Sequence, residues 1–263
     1  VIDLPTDENP VTVVEGDCLD VLRALPDGCV DAVITDPPYS SGGFTRGDRQ
    51  QNVATKYQQT GTQREYAPFS GDNRDARSWA YWCCLWLSEA RRVTKPSGYC
   101  LLFTDWRQLP TTTDAIQAGE WQWRGLISWD KGAAARAPHK GYYRHQCEYV
   151  VWGTNGALDV PPVEDPRGGP WPGSYTVPVL QDDKHHMTGK PTKLMRELVK
   201  VVPPGGLILD PFAGSGTTGI AAALEGRRCI LIEKEPAYAE IARERVRKVL
   251  DKGLFAETTE ACA

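Results

Sequence analysis

Leu207-Ile208-Leu209-Asp210-Pro211-Phe212-Ala213-Gly214-Ser215-Gly216-Thr217-Thr218 is the stretch that decides the fold of this chain. A short apolar strand over 207–210 runs into an acid, then into a glycine-rich turn that opens a helix over 217–226. The spacing Gly214-x-Gly216-x-x-Gly219 matches a dinucleotide fingerprint, whose glycines let backbone approach a ligand closely. On its own the spacing is a weak signal, and a nicotinamide cofactor is its first reading. Glu233, closing the next apolar run, is placed to hold ribose hydroxyls, which NAD and S-adenosylmethionine share. The Asp-Pro-Phe ahead of the glycines turns the reading toward S-adenosylmethionine, because dehydrogenase fingerprints do not usually carry it.

Working outward, seven β-branched-rich apolar runs appear at 11–15, 30–35, 99–104, 124–129, 147–152, 207–210 and 229–233. Helical patterns lie between several of them, which predicts α/β layering around a largely parallel sheet. Segment 79–93 carries Trp79, Trp82 and Trp86 on one helical face and is expected to pack into the core. From Pro236 onward, Ile241, Ala242, Val246, Val249 and Leu250 stripe an otherwise charged helix. Two stretches fit no element. Residues 40–78 are glycine- and glutamine-rich, and 153–185 are rich in proline and glycine. Loops of this length are uncommon in a compact domain unless functional or disordered. The first is expected to be a mobile substrate-facing loop and the second a small target-recognition insertion within one domain spanning 1–263.

Run 30–35 ends in Asp36-Pro37-Pro38-Tyr39. Each proline fixes its own φ and restricts the residue before it, so the carboxylate and the Asp36 and Pro37 carbonyls are held as acceptors for an exocyclic amino group. Tyr39 offers a π face on which a planar base can stack.

Composition narrows the setting. A chain of 263 residues suits one sizeable α/β domain. No run approaches the roughly eighteen apolar residues of a membrane span, and no basic-then-apolar leader precedes the first strand. The eight cysteines form no Cys-x-x-Cys pair and several sit in apolar runs, so they read as reduced core residues rather than a zinc site. The location expected is cytoplasmic, with no membrane partner. A net charge of −4 argues against a wholly basic coat, but basic residues are concentrated locally. Lys131, Arg136, His139, Lys140 and Arg144 stand in a stretch with no acid before Glu148, and Arg46, Arg49, Lys56 and Arg64 lie in the 40–78 loop. All nine are candidate DNA contacts.

Taken together, the motifs resemble the β-class amino-methyltransferases of DNA, in which an Asp-Pro-Pro-Tyr catalytic motif precedes a Phe-Ala-Gly-Ser-Gly cofactor motif. Gly16-Asp17, Lys95-Pro96-Ser97-Gly98 and Cys147-Glu148-Tyr149-Val150-Val151-Trp152 resemble further family segments, with Cys147 where histidine is common. His186-Met187-Thr188-Gly189-Lys190-Pro191 resembles another, with Met187 replacing a proline. The resemblance implies a Rossmann-like seven-stranded sheet in the order 3-2-1-4-5-7-6, strand 7 antiparallel and the chain circularly permuted. It implies catalysis by Asp36, Pro37, Pro38 and Tyr39. For S-adenosylmethionine it implies Glu233 at the ribose and Asp17 at the adenine. Asp210, Phe212, Gly214, Ser215, Gly216 and Thr217, with Asp36, would surround the methionine half, and Thr188 and Lys190 would lie near its carboxylate.

The activity implied is methylation of the exocyclic N6 of an adenine flipped out of double-stranded DNA, in a bacterial or phage setting near the nucleoid. Asp at the first motif position favours adenine N6 over cytosine N4, which stays open as the alternative. A silent DNA-binding protein of the same fold is the alternative of a different class. No cysteine follows a proline, which excludes C5-cytosine chemistry. A homodimer is the assembly suggested by the compact reader; a restriction endonuclease partner is not legible in the chain.

Overall fold

The computed structural model describes residues 2–39, 74–133, 135, 140–158, 169–178 and 189–260. In chain order the elements are β1 (Val11–Glu15), α1 (Cys18–Ala24), β2 (Val30–Thr35), α2 (Ala76–Val93), β3 (Thr94–Thr104), α3 (Leu109–Ala118), β4 (Gln122–Asp130), β5 (Cys147–Thr154) and β6 (Ser174–Thr176). There follow α4 (Thr192–Leu198), a 3₁₀ turn (Val199–Val201), β7 (Leu207–Asp210), α5 (Thr217–Leu224), β8 (Arg228–Glu233) and α6 (Pro236–Glu260).

The strands form one sheet in the order β1-β8-β7-β2-β3-β5-β4-β6. Pairing is parallel from β1 through β3, antiparallel for β5 against both β3 and β4, and parallel again for β6 on β4. The expected count of seven is corrected to eight, because Ser174–Thr176 pairs with Ser128–Asp130 at the sheet edge. Three residues inside a proline- and glycine-rich stretch carry no periodicity to read. The stretch 153–185 is thus partly regular, with Gly153 and Thr154 ending β5; its residues 159–168 and 179–185 lie outside the described residues. The 40–78 stretch gives up 76–78 to α2, and 40–73 lie outside the description.

Period-two alternation produces two apolar layers. On β7, Leu207 and Leu209 join one layer and Ile208 the other; on β8, Ile230 and Ile232 oppose Cys229 and Leu231. The first layer is closed by α1, α2 and α3 through Leu22, Trp79, Trp86 and Ile116. The second is closed by α4, α5 and α6 through Leu194, Ile220, Ala221 and Val246. Both sheet faces are therefore covered, which is why the central strands read as continuous apolar runs.

One boundary differs from expectation. The Lys95-Pro96-Ser97-Gly98 segment, which stands outside the apolar run expected at 99–104, lies inside β3. Val30 pairs with Thr94 and Ala32 with Tyr99, so the segment bulges from the ladder, with Ser97 at φ 64. A Cβ on Gly98 would lie 2.8 Å from the Asp31 carbonyl, which reserves that position for glycine.

Candidate active site

Strands β7 and β2 are neighbours at the centre of the sheet, so their carboxyl ends open side by side, where ligands bind in open α/β sheets. At the end of β7 the backbone turns through Gly214 (φ 52) and Gly216 (φ 81) into α5. Gly216 has left-handed backbone, and a Cβ there would sit 3.0 Å from the Ala242 Cβ of α6. Arg245 of α6 braces the turn, donating to the Ser215 carbonyl at 2.6 Å and to its hydroxyl at 2.8 Å. Phe212 packs beneath, its ring 5.3 Å from Trp82 and 5.0 Å from Trp86. The tryptophan stripe of α2 is the floor of the glycine turn as well as core.

Asp210 fastens the two strand ends together. Its carboxylate accepts from the Thr35 hydroxyl of β2 at 2.6 Å, the Thr218 hydroxyl at 2.5 Å and the Phe212 amide at 3.1 Å. Burial still holds its pKa above the usual carboxylate range. Glu233, ending β8, accepts from the Gly214 amide at 2.7 Å and the Glu235 amide at 2.9 Å. Burial pushes its pKa up to about 7 despite those two donors. Asp17 caps α1 through the Leu19 amide and accepts from Lys234, the residue after Glu233.

At the end of β2 the Asp36 turn is held from outside. Trp79 Nε1 of α2 donates to the Pro38 carbonyl at 2.6 Å, and Tyr39 is buried to 9 % exposure. Lys190 donates to Asp36 Oδ2 at 2.5 Å and lies 5.8 Å from the centre of the Tyr39 ring. Asp36 Oδ1 is buried and has no hydrogen-bond partner among the described residues. Burial raises the Asp36 pKa to about 6, the neighbouring Lys190 offsetting part of the effect.

An open cleft joins the two ends, lined by Asp36, Lys190, Asp210, Phe212, Gly214, Ser215 and Thr217, with Phe103 and Met195 adding apolar wall. Seven of the expected cofactor residues are thereby gathered in one place. Glu233 reaches the cleft through the Gly214 amide, and Asp17 stands one strand further along. Thr188 lies outside the described residues, as do Arg46, Arg49, Lys56, Arg64, Arg136 and His139. Of the remaining expected DNA contacts, Lys140 and Arg144 are exposed. Lys131 is not free for phosphate: its ammonium is bonded to Glu148 at 3.0 Å, with both side chains 19 % exposed.

Sequence reasoning gave Glu148 no role, although it is an acid at the start of an otherwise apolar strand. Its Oε2 lies 3.6 Å from Lys190, giving a chain of alternating charge, Asp36–Lys190–Glu148–Lys131. Burial opposes Glu148 ionisation, but Lys190 and Lys131 together hold its pKa below the usual range. Burial likewise opposes the charge on Lys190, and Asp36 and Glu148 outweigh it, so the pKa is raised. Near the same strand ends Trp106 is 51 % exposed, its ring stacked 5.8 Å from His145 with Arg107 above it at 5.1 Å.

Among the described residues no helix is long and apolar enough to cross a membrane. The sequence profile of the DNA methylase family, N6_N4_Mtase, matches residues 30–159 and 159–244. The type II methyltransferase M2.DpnII of Streptococcus pneumoniae is 26% identical over 253 residues, covering 91% of this chain and 90% of that protein. The M1.HpyAVI–SAM crystal structure superimposes with a TM-score of 0.63 at 20% identity, covering 90% of this chain and 98% of that one. PvuII DNA methyltransferase, cytosine-N4-specific, superimposes at 0.67 and 15% identity, over 93% and 92%. With the profile spanning both strand ends and most of the sheet between, the chain belongs to the DNA methylase family.

Proposed function

We propose that this DNA methylase transfers a methyl group from S-adenosylmethionine to the exocyclic N6 of an adenine flipped out of duplex DNA. The observation that carries the reading is Asp36 Oδ1: a buried acceptor without a hydrogen-bond partner among the described residues, in the same cleft as the Gly214–Thr217 turn. A buried polar atom left unpaired costs free energy, and an entering amino hydrogen would satisfy it.

The cleft fits the donor. Gly214 and Gly216 let backbone approach it, Glu233 supplies a carboxylate for ribose hydroxyls, and Lys190 a cation for an anionic group. When bound, S-adenosylmethionine supplies an electrophilic sulfonium methyl whose C–S bond breaks as the new N–C bond forms. The chain's own contribution is to tune the acceptor. An aromatic amino lone pair is conjugated into its ring and weakly nucleophilic. Asp36 and the Pro37 carbonyl, accepting the two N–H hydrogens, draw the nitrogen toward sp³ geometry and stabilise its growing positive charge. Positioning in line with the methyl lowers the barrier further, and the nitrogen's surplus proton is then released to water.

A base inside the duplex cannot reach Asp36, so it must be flipped at a cost of a few kcal/mol. Tyr39 at the site and the exposed Trp106 beside it are suited to return part of that cost by stacking, roughly 1–3 kcal/mol per base. Lys140 and Arg144 supply positive charge for the backbone. Cytosine N4 presents the same chemistry to Asp36, and Asp rather than Ser at that position favours adenine.

Asp36→Ala tests the reading in a tritiated-methyl assay: transfer is expected to fall by about 10²–10³-fold or more, with S-adenosylmethionine binding nearly intact. Undiminished turnover would remove Asp36 from the chemistry. Methylation-sensitive sequencing of DNA from cells expressing the chain identifies base, position and recognition sequence together; methylcytosine in place of methyladenine would overturn the N6 assignment.

A further inference from the structure

Glu148 takes no part in the chemistry above, yet it stands between two lysines at the edge of the site. Its Oε1 accepts from Lys131, while Oε2 is buried, 3.6 Å from Lys190, and without a hydrogen bond among the described residues. Asp36 mirrors it, with Oδ2 taken by Lys190 and Oδ1 open. Lys190 is 7 % exposed and stands between the two carboxylates, 2.5 Å from one and 3.6 Å from the other. An ammonium has three donors, so a small swing of its tip can pass it from one acid to the other.

We propose that Glu148 is a positioning residue that draws Lys190 off Asp36 as the target amino group enters, freeing the Asp36 carboxylate to accept its share of the amino hydrogens at full charge, with Lys131 setting the strength of that pull. The inference rests on the methyl-transfer reading. A lysine this deeply buried cannot leave one counter-ion unless another receives it, because an unpaired buried charge is costly. Glu148 is the receiver, already aligned. The charged and titratable groups facing Asp36 are Lys190 ahead of α4, Glu148 on β5, Asp210 on β7 and Tyr39 in its own turn. Those facing Glu148 are Lys190 and Lys131, with the Asp36 carboxylate beyond Lys190.

The sign of the effect on pH dependence follows. Asp36 must be ionised to accept the amino hydrogens, so activity falls as pH drops through its pKa of about 6. Glu148→Gln removes a neighbouring negative charge and the second carboxylate beside Lys190, which then stays with Asp36. The acid limb of the profile then moves down by about one pH unit, while the plateau falls about tenfold because the Asp36–Lys190 pair no longer opens. Lys131→Met has the opposite sign: Glu148, relieved of Lys131, holds Lys190 more firmly, and the acid limb moves up.

The test is kcat and KM of the full chain on methylatable DNA between about pH 5.5 and 8.5, with S-adenosylmethionine binding followed by calorimetry. The expected result is opposite shifts of the acid limb in the two variants, with cofactor affinity within about twofold of wild type in Glu148→Gln. Glu148→Asp, which keeps the charge, is expected to leave the limb near the wild-type position. Where Glu148→Gln fails to fold, Glu148→Asp and Lys131→Met carry the same comparison. A limb that stays put, or moves in the same direction in Glu148→Gln and Lys131→Met, overturns the handover. A wild-type chain that methylates no DNA would overturn the methyl-transfer reading itself, before any variant is compared.

Discussion

The two strand ends that meet in the cleft are built differently. At the end of β7 the site is made largely of backbone: two glycines with positive φ, the Gly214 amide donating to Glu233, and a helix start. The residues of the turn itself lie within a dozen positions of one another, from Asp210 to Thr218. At the end of β2 the site is made of side chains, with Asp36 held by Lys190 from 154 positions away and the Pro38 carbonyl held by Trp79 from 41 away. A backbone cradle suits a ligand that is the same at every turnover. A carboxylate balanced against a lysine suits an acceptor that must change partners during the reaction.

Glu233→Gln probes the backbone end with the largest expected effect. Losing one charged acceptor is expected to weaken S-adenosylmethionine binding about 10–100-fold, as befits a charge-assisted hydrogen bond of about 1.5–3 kcal/mol, and titration calorimetry reads it. The same variant alters stability. Glu233 has a pKa of about 7 in the fold, above its value of 4.5 when unperturbed, so the ligand-free protein loses stability as pH rises between those values. In Glu233→Gln that component of the Tm–pH slope disappears; an unchanged slope would mean that the carboxylate is not held in a desolvated position.

Thr35→Val attacks the junction of the two ends. It removes the hydroxyl that donates to Asp210 and leaves that buried carboxylate oxygen with the Phe212 amide alone, the loss of a charge-assisted hydrogen bond of about 1.5–3 kcal/mol. Thermal unfolding should show it, and both cofactor affinity and turnover should fall together; a loss confined to one of them would uncouple the ends. Trp79→Phe has the smallest expected effect, about 1 kcal/mol. It releases the Pro38 carbonyl while preserving most of the aromatic packing. Turnover is expected to drop with S-adenosylmethionine binding unchanged, since only the Asp36 turn is loosened.

The same contrast governs what could be read from sequence. The glycine turn was legible because its determinants are local and each glycine answers a backbone requirement. The strands were legible because period-two burial on both faces leaves continuous apolar runs, and β6 was not because three residues show no period. Asp36 was visible as a motif, but its partners were not. Nothing local announces that Lys190 reaches Asp36, that Glu148 stands ready to take Lys190, or that Lys131 leans on Glu148 rather than facing phosphate. Those pairs exist only once β5 lies antiparallel between β3 and β4 and brings Glu148 to the open end of the sheet. Trp79 was read as core, and it is; that its ring nitrogen also fixes the Pro38 carbonyl is a tertiary fact.

The strand order has a consequence for how the chain is made. Among the described strands β1 is made first, yet its neighbour in the sheet, β8, is made last. β2 likewise waits for β7 to cover its second edge. Through most of synthesis the nascent chain therefore carries an unpaired strand and an open parallel edge, both strongly apolar, of the kind that templates association with other chains. Translation that stalls between β6 and β8 strands the first half without its closing partner. Expressed as two separate pieces cut after α4, the halves would each hold what the other lacks, a natural starting point for reassembling the enzyme from fragments.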